Sequence, residues 1–307
     1  MKSSRRKFLK TTALSAAALS VPGVGISAKS YRRIIGANER IRVAVQGLGR
    51  RYPAYVTPIM HSENNIDLIY LCDVMDSQLE NALKRFKKSG DTSPALEKDI
   101  RKVLDDADVD AVFMATPDHW HTPGACMAMM AGKHVYLEKP CSHNPWENEL
   151  VVAYQKKYNK VVQMGNQQRS SPDSIQIINE IHNGVIGNAY KAVAYYTNSR
   201  GKVPVPTPAE VPQGLDWELF QGPAPRKAYH HNTWDYNWHW YGWDYGTAEM
   251  GNNATHELDI ARWALDVHVP YRVDVQAAKT NFPDDGWSMY DSMEATYLFE
   301  DNKVIKW

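Results

Sequence analysis

Two short constellations in this chain have residue types and spacing that could do chemistry on a phosphate-bearing cofactor. Gly47-Leu48-Gly49 directly follows the β-branched run Ile41-Arg42-Val43-Ala44-Val45-Gln46. Two glycines after a strand allow a tight turn and close backbone approach to a pyrophosphate, and the helix N-terminus that follows faces the anion. The position of a third glycine is held by Tyr52, which predicts a slightly displaced helix, and Arg50 and Arg51 stand where they could reach phosphate. Asp73 closes a second apolar run, Ile66 to Cys72. A carboxylate at a strand end can accept both ribose hydroxyl protons and would repel a 2′-phosphate, so the cofactor expected is NAD, with NADP less favoured. The bland alternative for Asp73 is a solvated strand end.

Other clusters exclude chemistry. His119 and His121 have the spacing of a metal pair, but no carboxylate or thiol completes a set, and no metal is expected. His256-Glu257 begins like a zinc-protease helix, yet Ile260 takes the place of the second histidine. Cys72, Cys126 and Cys141 form neither a metal spacing nor a disulfide framework.

These residues need a frame to position them, and the pattern supplies an α/β one. Strands are expected at 41–46, 66–72, 111–115, 134–137 and 161–163, alternating with a helix made short or kinked by Pro53 and Pro58 and with helices over 77–89, 122–131 and 145–158. That alternation implies a doubly wound parallel sheet, a Rossmann domain over residues 40–163. Beyond it the pattern changes. A helix over 172–183 capped by Ser171, strands at 189–197, 271–279 and 294–299, a helix over 247–265 and a loop dense in Trp, Tyr and His at 229–245 suggest an α+β domain over 164–307 with an open, largely antiparallel sheet. The aromatic loop, Trp240 included, suits stacking on a sugar, internal packing or an oligomer contact. The chain stops inside an expected hairpin around Glu300–Lys303, which would leave an unpaired apolar edge and suggests truncation.

The first 28 residues carry Lys2, Arg5, Arg6, Lys7 and Lys10, no acid, and then an apolar run from about Ala13 to Ile26. The order resembles a twin-arginine export signal, so a periplasmic or secreted protein without stable membrane insertion is expected, with residues 29–39 as a linker. The alternative is a basic tail. The whole chain balances 35 basic against 35 acidic residues; without the signal 30 face 35, a net charge of about −5, which argues against a nucleic-acid partner.

Four further motifs, in order, add specificity: Ala115-Thr116-Pro117-Asp118-His119-Trp120-His121, Glu138-Lys139-Pro140, Gly165-Asn166-Gln167-Gln168-Arg169 and Thr255-His256-Glu257-Leu258-Asp259-Ile260-Ala261-Arg262-Trp263. Together they resemble the Gfo/Idh/MocA oxidoreductase family, and Asn237-Trp238-His239-Trp240 with Trp243-Asp244-Tyr245-Gly246-Thr247 is similar to its exported bacterial branch. The resemblance implies NAD(P)-dependent hydride transfer on a sugar, cyclitol or related polyol by a homo-oligomer. It places Lys139 beside the nicotinamide and the reacting carbon, with Glu138, Thr116, Pro117, His119, Trp120, His121 and Gln167 around the cofactor and Arg169, Asn252, His256, Asp259 and Trp240 toward substrate. Asn252, His256, Asp259 and Trp263 share one helix face by spacing, and a neutral His256 could take the substrate hydroxyl proton. Relatives often carry Asp where Asn252 stands; an amide cannot relay a proton and is expected to orient substrate. Two alternatives stay open: an exported glycosidase that uses tightly held NAD in an oxidation and elimination cycle, and a non-catalytic carbohydrate-binding relative.

Overall fold

A computed structural model describes residues 40–90, 92–197, 201–231, 233–241 and 243–307. The expected export signal and the linker lie outside them. Among the described residues no helix is long and apolar enough to cross a membrane.

The alternating apolar run Ile41–Gln46 forms β1, and its residues divide between two cores. Val43 and Val45 pack with Leu68 and Leu71 of β2 (Ile66–Cys72) under helices α1 (Pro53–Met60) and α2 (Asp76–Ser89). Ala44 joins Val112, Met114, Val135 and Leu137 on the other face. Those residues belong to β4 (Ala111–Met114) and β5 (His134–Glu138), covered by α4 (Asp118–Met130) and α5 (Pro145–Tyr158). Burial on both faces is why these strands read as continuous apolar runs. In α2, Leu79, Ala82 and Phe86 repeat on the buried side, Asp76 sits in the first turn, and Lys87 and Lys88 sit in the last, complementing the helix dipole. Asn144 caps α5 by accepting from Glu147 N–H, and Pro145 follows at the first helical position.

With β3 (Ala95–Glu97) and β6 (Val162–Gly165), the parallel sheet runs β3-β2-β1-β4-β5-β6. The strand order reverses between β1 and β4, and in doubly wound sheets the ligand crevice opens at that switch point. Strand β3 and the helix α3 (Ile100–Asp105) are absent from the sequence reading: three residues are too few to show a period. Helix α4 begins at Asp118, four residues earlier than the pattern suggests.

The second domain carries a four-stranded sheet in the order β7-β10-β9-β8, made of β7 (Lys191–Val193), β8 (Arg272–Ala278), β9 (Ser292–Leu298) and β10 (Val304–Lys306). Only β7 and β10 pair parallel. The strand expected at 189–197 is thus cut to three residues. The expected unpaired edge at the hairpin is corrected too, because β10 lies between β7 and β9. Helix α6 (Pro172–His182) starts after Ser171, whose side chain makes no cap bond; the expected cap is replaced by a bond from Ile175 N–H to the Ser171 carbonyl. After the short helix α7 (Trp217–Gln221), the single helix expected over 247–265 is instead a π-helical turn, Met250–Ala254, leading into α8 (Thr255–Leu265). Ala261 and Leu265 of α8 pack on Phe299 and Ile305 of the sheet.

The two domains lie within one compact unit, Ile41–Trp307. The first turn of α4 fastens them. Buried Asp118 accepts hydrogen bonds from Thr247 N–H (3.0 Å) and Thr247 Oγ1 (2.6 Å). Replacing Asp118 by Ala strands both donors in a buried place, so the variant should lose about 1–3 kcal/mol of stability. Chemical denaturation of the purified protein, read by circular dichroism, measures it; an unchanged midpoint would contradict this account of the docking.

Candidate active site

The loop after β1 is shaped by backbone proximity. Gly47 has φ +83°, and a Cβ there would lie 2.5 Å from the carbonyl carbon and oxygen of Ala115. Gly47 therefore brings the ends of β1 and β4 into contact. Gly49 needs no special conformation, and nothing lies within 4 Å of where its Cβ would be, because it faces open space. Tyr52, in place of a third glycine, is buried against Phe86 of α2, with ring centroids 6.3 Å apart, and α1 starts only after it, at Pro53.

A cleft of about 580 Å³ opens from this loop. Of the residues expected at the site, Gly47, Gly49, Arg50, Arg51, Asp73, Thr116, Pro117, Trp120, His121, Glu138, Lys139, Gln167, Asn252 and His256 line it. Asp73 accepts from Leu48 N–H through Oδ2 (2.6 Å) and from Met75 N–H through Oδ1 (2.9 Å). Burial pushes its pKa up to about 6, against the pull of those backbone donors. Two orphans point to a ligand: Gln46 Oε1 and Thr116 Oγ1 are buried in the cleft lining without a partner. Orphaned polar atoms, an open glycine cradle and a strand-end carboxylate together fit a dinucleotide.

Both arginines line the cleft, each with a partner there. Arg51 Nε donates to Glu138 Oε1 at 2.6 Å, and Tyr55 OH donates to the same oxygen at 2.9 Å. Arg51 is therefore committed to a half-buried ion pair rather than to phosphate. Arg50 lies over the Tyr236 ring, 4.1 Å from its centroid, at the cleft mouth.

His119 is turned away from the cleft. Its ring nitrogens face the carbonyls of Phe220 (Nε2, 2.8 Å) and Tyr245 (Nδ1, 3.3 Å), and burial lowers its pKa to about 4. The neutral ring donates at the shorter contact, so His119 ties α4 to the second domain. His121 is held between the Thr116 and Pro140 carbonyls. Trp240 does not reach the cleft either; it is buried against Trp287, with centroids 5.2 Å apart. Arg169 and Asp259 lie behind the lining, where Arg169 Nε and Nη2 make a bidentate pair with Asp259 at 2.7 and 2.8 Å.

Lys139, at the end of β5, and the helix face of the second domain meet in the cleft. Lys139 Nζ donates to the Asn252 carbonyl (2.6 Å) and to Asn252 Oδ1 (3.1 Å). Burial lowers its pKa from the ordinary lysine value. His256 Nδ1 lies 3.1 Å from Asn166 Oδ1, and burial, with the Lys139 charge adding to it, lowers its pKa as well. Asn252 sits in the π-helical turn, the kind of local distortion that often marks functional positions. Two of three ammonium protons go to Asn252, and the third is left for an oxygen in the cleft.

Gln78, Lys98, Asp99, Leu219 and Phe220 line the cleft without any sequence signal, whereas Trp234, Asp235, Tyr236, Trp238 and His239 come from the aromatic 229–245 loop without being singled out as site residues. Most reach the cleft through tertiary folding of the 201–245 region, and only the aromatic density of 229–245 hinted at it. Among the described residues no set of three or more His, Cys, Asp or Glu side chains could hold a metal ion, and all three cysteines are free.

Comparison with known proteins gives the same architecture. The model of the oxidoreductase family's NAD-binding Rossmann fold matches residues 41–166, and that of its C-terminal alpha/beta domain matches 181–305. A glycosyl hydrolase family 109 protein of Saccharopolyspora erythraea is 31% identical over 64% of this chain and 46% of its own. An alpha-N-acetylgalactosaminidase of Shewanella oneidensis is 24% identical over 98% of this chain and 63% of its own. The chain thus spans about half to somewhat under two thirds of the length of these curated relatives. Aldose-aldose oxidoreductase from Caulobacter crescentus, solved with glycerol, superposes with a TM-score of 0.62 at 19% identity, covering 87% of this chain and 70% of that one. Scyllo-inositol dehydrogenase from Lactobacillus casei, solved with NAD(H) and scyllo-inositol, gives 0.62 at 18% identity, covering 87% and 68%. With both domain models in sequence and the cleft between them, the chain belongs to the Gfo/Idh/MocA oxidoreductase family and carries its NAD-binding Rossmann domain.

Proposed function

We propose that this protein is an NAD(H)-dependent enzyme acting at a hydroxyl-bearing carbon of a sugar, cyclitol or related polyol. The observation that carries the reading is the convergence of Lys139 from the Rossmann sheet with Asn252 and His256 from the second domain, inside the cleft opened by Gly47, Gly49 and Asp73. NAD, when bound, supplies the hydride acceptor. Lys139 holds the reacting oxygen through its remaining proton and compensates negative charge there. His256, kept neutral by burial and by the Lys139 charge, accepts the hydroxyl proton. Asn252 fixes the Lys139 side chain and, as an amide, orients rather than relays. Export of the folded protein with its nucleotide already loaded, and assembly through the open second sheet, belong to the same proposal.

Replacing Lys139 by Met should lower kcat by about 10²–10⁴-fold, the range for loss of a positioned proton-handling group, while NAD affinity stays within a few-fold. Steady-state turnover over a panel of sugars and polyols, with NAD titrated calorimetrically, decides it; a Lys139→Met enzyme that turns over like wild type overturns the assignment.

Asp73 gives a pH dependence of known sign. Its carboxyl titrates at about 6, and ribose hydroxyls donate best to the ionised form, so NAD affinity is full above pH 6 and falls as pH drops below it. Titrations between pH 5 and 7.5 should show a several-fold weakening at the acid end that Asp73→Asn, which has no proton to gain, lacks. An identical pH response in both proteins would exclude Asp73 as its source.

A second reading is favoured by a strap. Residues 214–222 are fastened along one side of the cofactor cleft, with Lys98 Nζ (2.9 Å) and Asp76 N–H (3.2 Å) bonded to the Gly214 carbonyl and Asp216 N–H to the Val74 carbonyl (2.9 Å). Trp120 Nε1 donates to the Leu219 carbonyl (3.1 Å), and Leu219 and Phe220 line the cleft. A cofactor under such a strap exchanges slowly, which suits a cycle with no net redox change: oxidation to the ketone acidifies a neighbouring C–H bond, loss of that proton expels the aglycone, water adds to the resulting double bond, and the hydride is returned to the carbonyl. The curated relatives bearing glycosidase names support this version. Release of p-nitrophenol from a panel of nitrophenyl glycosides without NADH accumulation, and with solvent deuterium entering the sugar product, would favour it; NADH formed in proportion to product would remove it.

A further inference from the structure

The hydrogen bonds behind His256 form a directed chain. Arg169 grips Asp259 through both guanidinium edges, at 2.7 and 2.8 Å, and stacks over Trp263, 4.7 Å from the ring centroid. The Asp259 carboxylate, so fixed, also accepts from Asn166 Nδ2 at 2.5 Å. An ionised carboxylate only accepts, so the Asn166 amide must turn its NH₂ toward Asp259 and its oxygen toward His256. That oxygen lies 3.1 Å from His256 Nδ1. An amide oxygen only accepts, so Nδ1 must carry the ring proton. The other nitrogen, Nε2, has no hydrogen-bond partner among the described residues, and the ring lines the cleft beside Lys139 and Asn252.

We infer that Asn166 is a positioning residue that converts the fixed Arg169–Asp259 pair into a single His256 tautomer, Nδ1–H, with the Nε2 lone pair directed at the substrate. The inference rests on the reading of His256 as the proton acceptor. Asn166 sits just after β6 of the Rossmann sheet, while His256 lies on α8 of the second domain, so the first domain sets the tautomer of the second domain's base. The amide matters. Asn166 orients the ring as a carboxylate would, but without placing a charge against it, and so does not raise its basicity. The charges that do face His256 are Lys139, Glu138, Arg51 and Asp259, and they oppose one another. A purely structural Asn166 would act through its backbone, which bonds Met164 O and Arg169 N–H; side-chain substitution leaves those bonds in place.

The test uses the full chain loaded with NAD and labelled with ¹⁵N-histidine. His256→Asn identifies the His256 signals by difference in a long-range ¹H–¹⁵N correlation spectrum at neutral pH. Wild type should show protonated Nδ1 and bare Nε2. Asn166→Ala should shift the ring toward the other tautomer and lower kcat about tenfold with KM within about threefold, the split expected when a base is mis-set and binding is not. A wild-type ring protonated at Nε2 overturns the inference without any variant, and so does an Asn166→Ala spectrum with an unchanged tautomer. Failure of the underlying reading has a separate signature: His256→Asn would retain wild-type kcat on the best substrate of the panel, which also removes the catalytic meaning of the tautomer.

Discussion

The structure depends on one close approach, the backbone after β1 against the backbone after β4. Gly47 permits it, since any side chain would enter the Ala115–Thr116 peptide. Everything in the cleft is referenced to this contact. It fixes the Gly49 cradle, sets the distance to Asp73 on the neighbouring strand, and starts α4 directly beneath the cofactor position. The first turn of α4 then reaches outward. Asp118, His119 and Trp120 spend their polar atoms on Thr247, Tyr245, Phe220 and Leu219 of the second domain. The residues that close the cofactor loop and those that dock the second domain are neighbours in sequence. Cofactor geometry and substrate geometry therefore share one rigid origin.

That docking delivers the π-helical turn and α8 to the end of β5. Asn252 and His256, four residues apart, both face the cleft although one lies in the π-turn and the other in the first turn of the regular helix. The same face continues through Asp259 and Trp263 to Arg169. One side of a helix thus holds the Lys139 contact, the candidate base and the ion pair that steadies it.

How much of this was legible follows from what is local. The glycine turn, Asp73 and the Lys139 strand end are dictated by a few adjacent residues, and the parallel sheet follows from helices and strands of ordinary length; all are found where the pattern puts them. The shared face of Asn252, His256 and Asp259 survives the π-turn because the spacing of four and three tolerates one irregular turn. What could not be read is set by partners distant in sequence. Arg51 looks like a phosphate ligand until Glu138, on a strand far along the chain, takes it. His119 looks like a cleft residue until the carbonyls of Phe220 and Tyr245 claim its ring. Trp240 looks like a sugar platform until Trp287 buries it. The strap at 214–222 has no periodicity, and β3 is only three residues long. His119 and Trp240 are aromatic side chains whose destinations depend on segments with no pattern of their own.

The electrostatic consequence of these pairings reaches the reacting atoms. Glu138 is offset by Arg51, and Asp259 is offset by Arg169. Asn252 contributes no charge, and Asn166 separates Asp259 from His256 by an amide. The ammonium of Lys139 enters the same cleft, where the charges of Asp118, Glu138 and Glu249 favour it and that of Arg51 opposes it. In the proposed reaction an oxygen losing its proton to His256 gains negative charge beside that ammonium, in a cleft where burial lowers the pKa values of both groups. A cation held beside that oxygen favours its deprotonated form over the hydroxyl, and such a difference between two states, rather than tight binding of either, is what lowers a barrier. The neutral Asn252 keeps the Lys139 charge for the oxygen, and the fixed Nδ1–H tautomer keeps the bare nitrogen of His256 aimed at its proton.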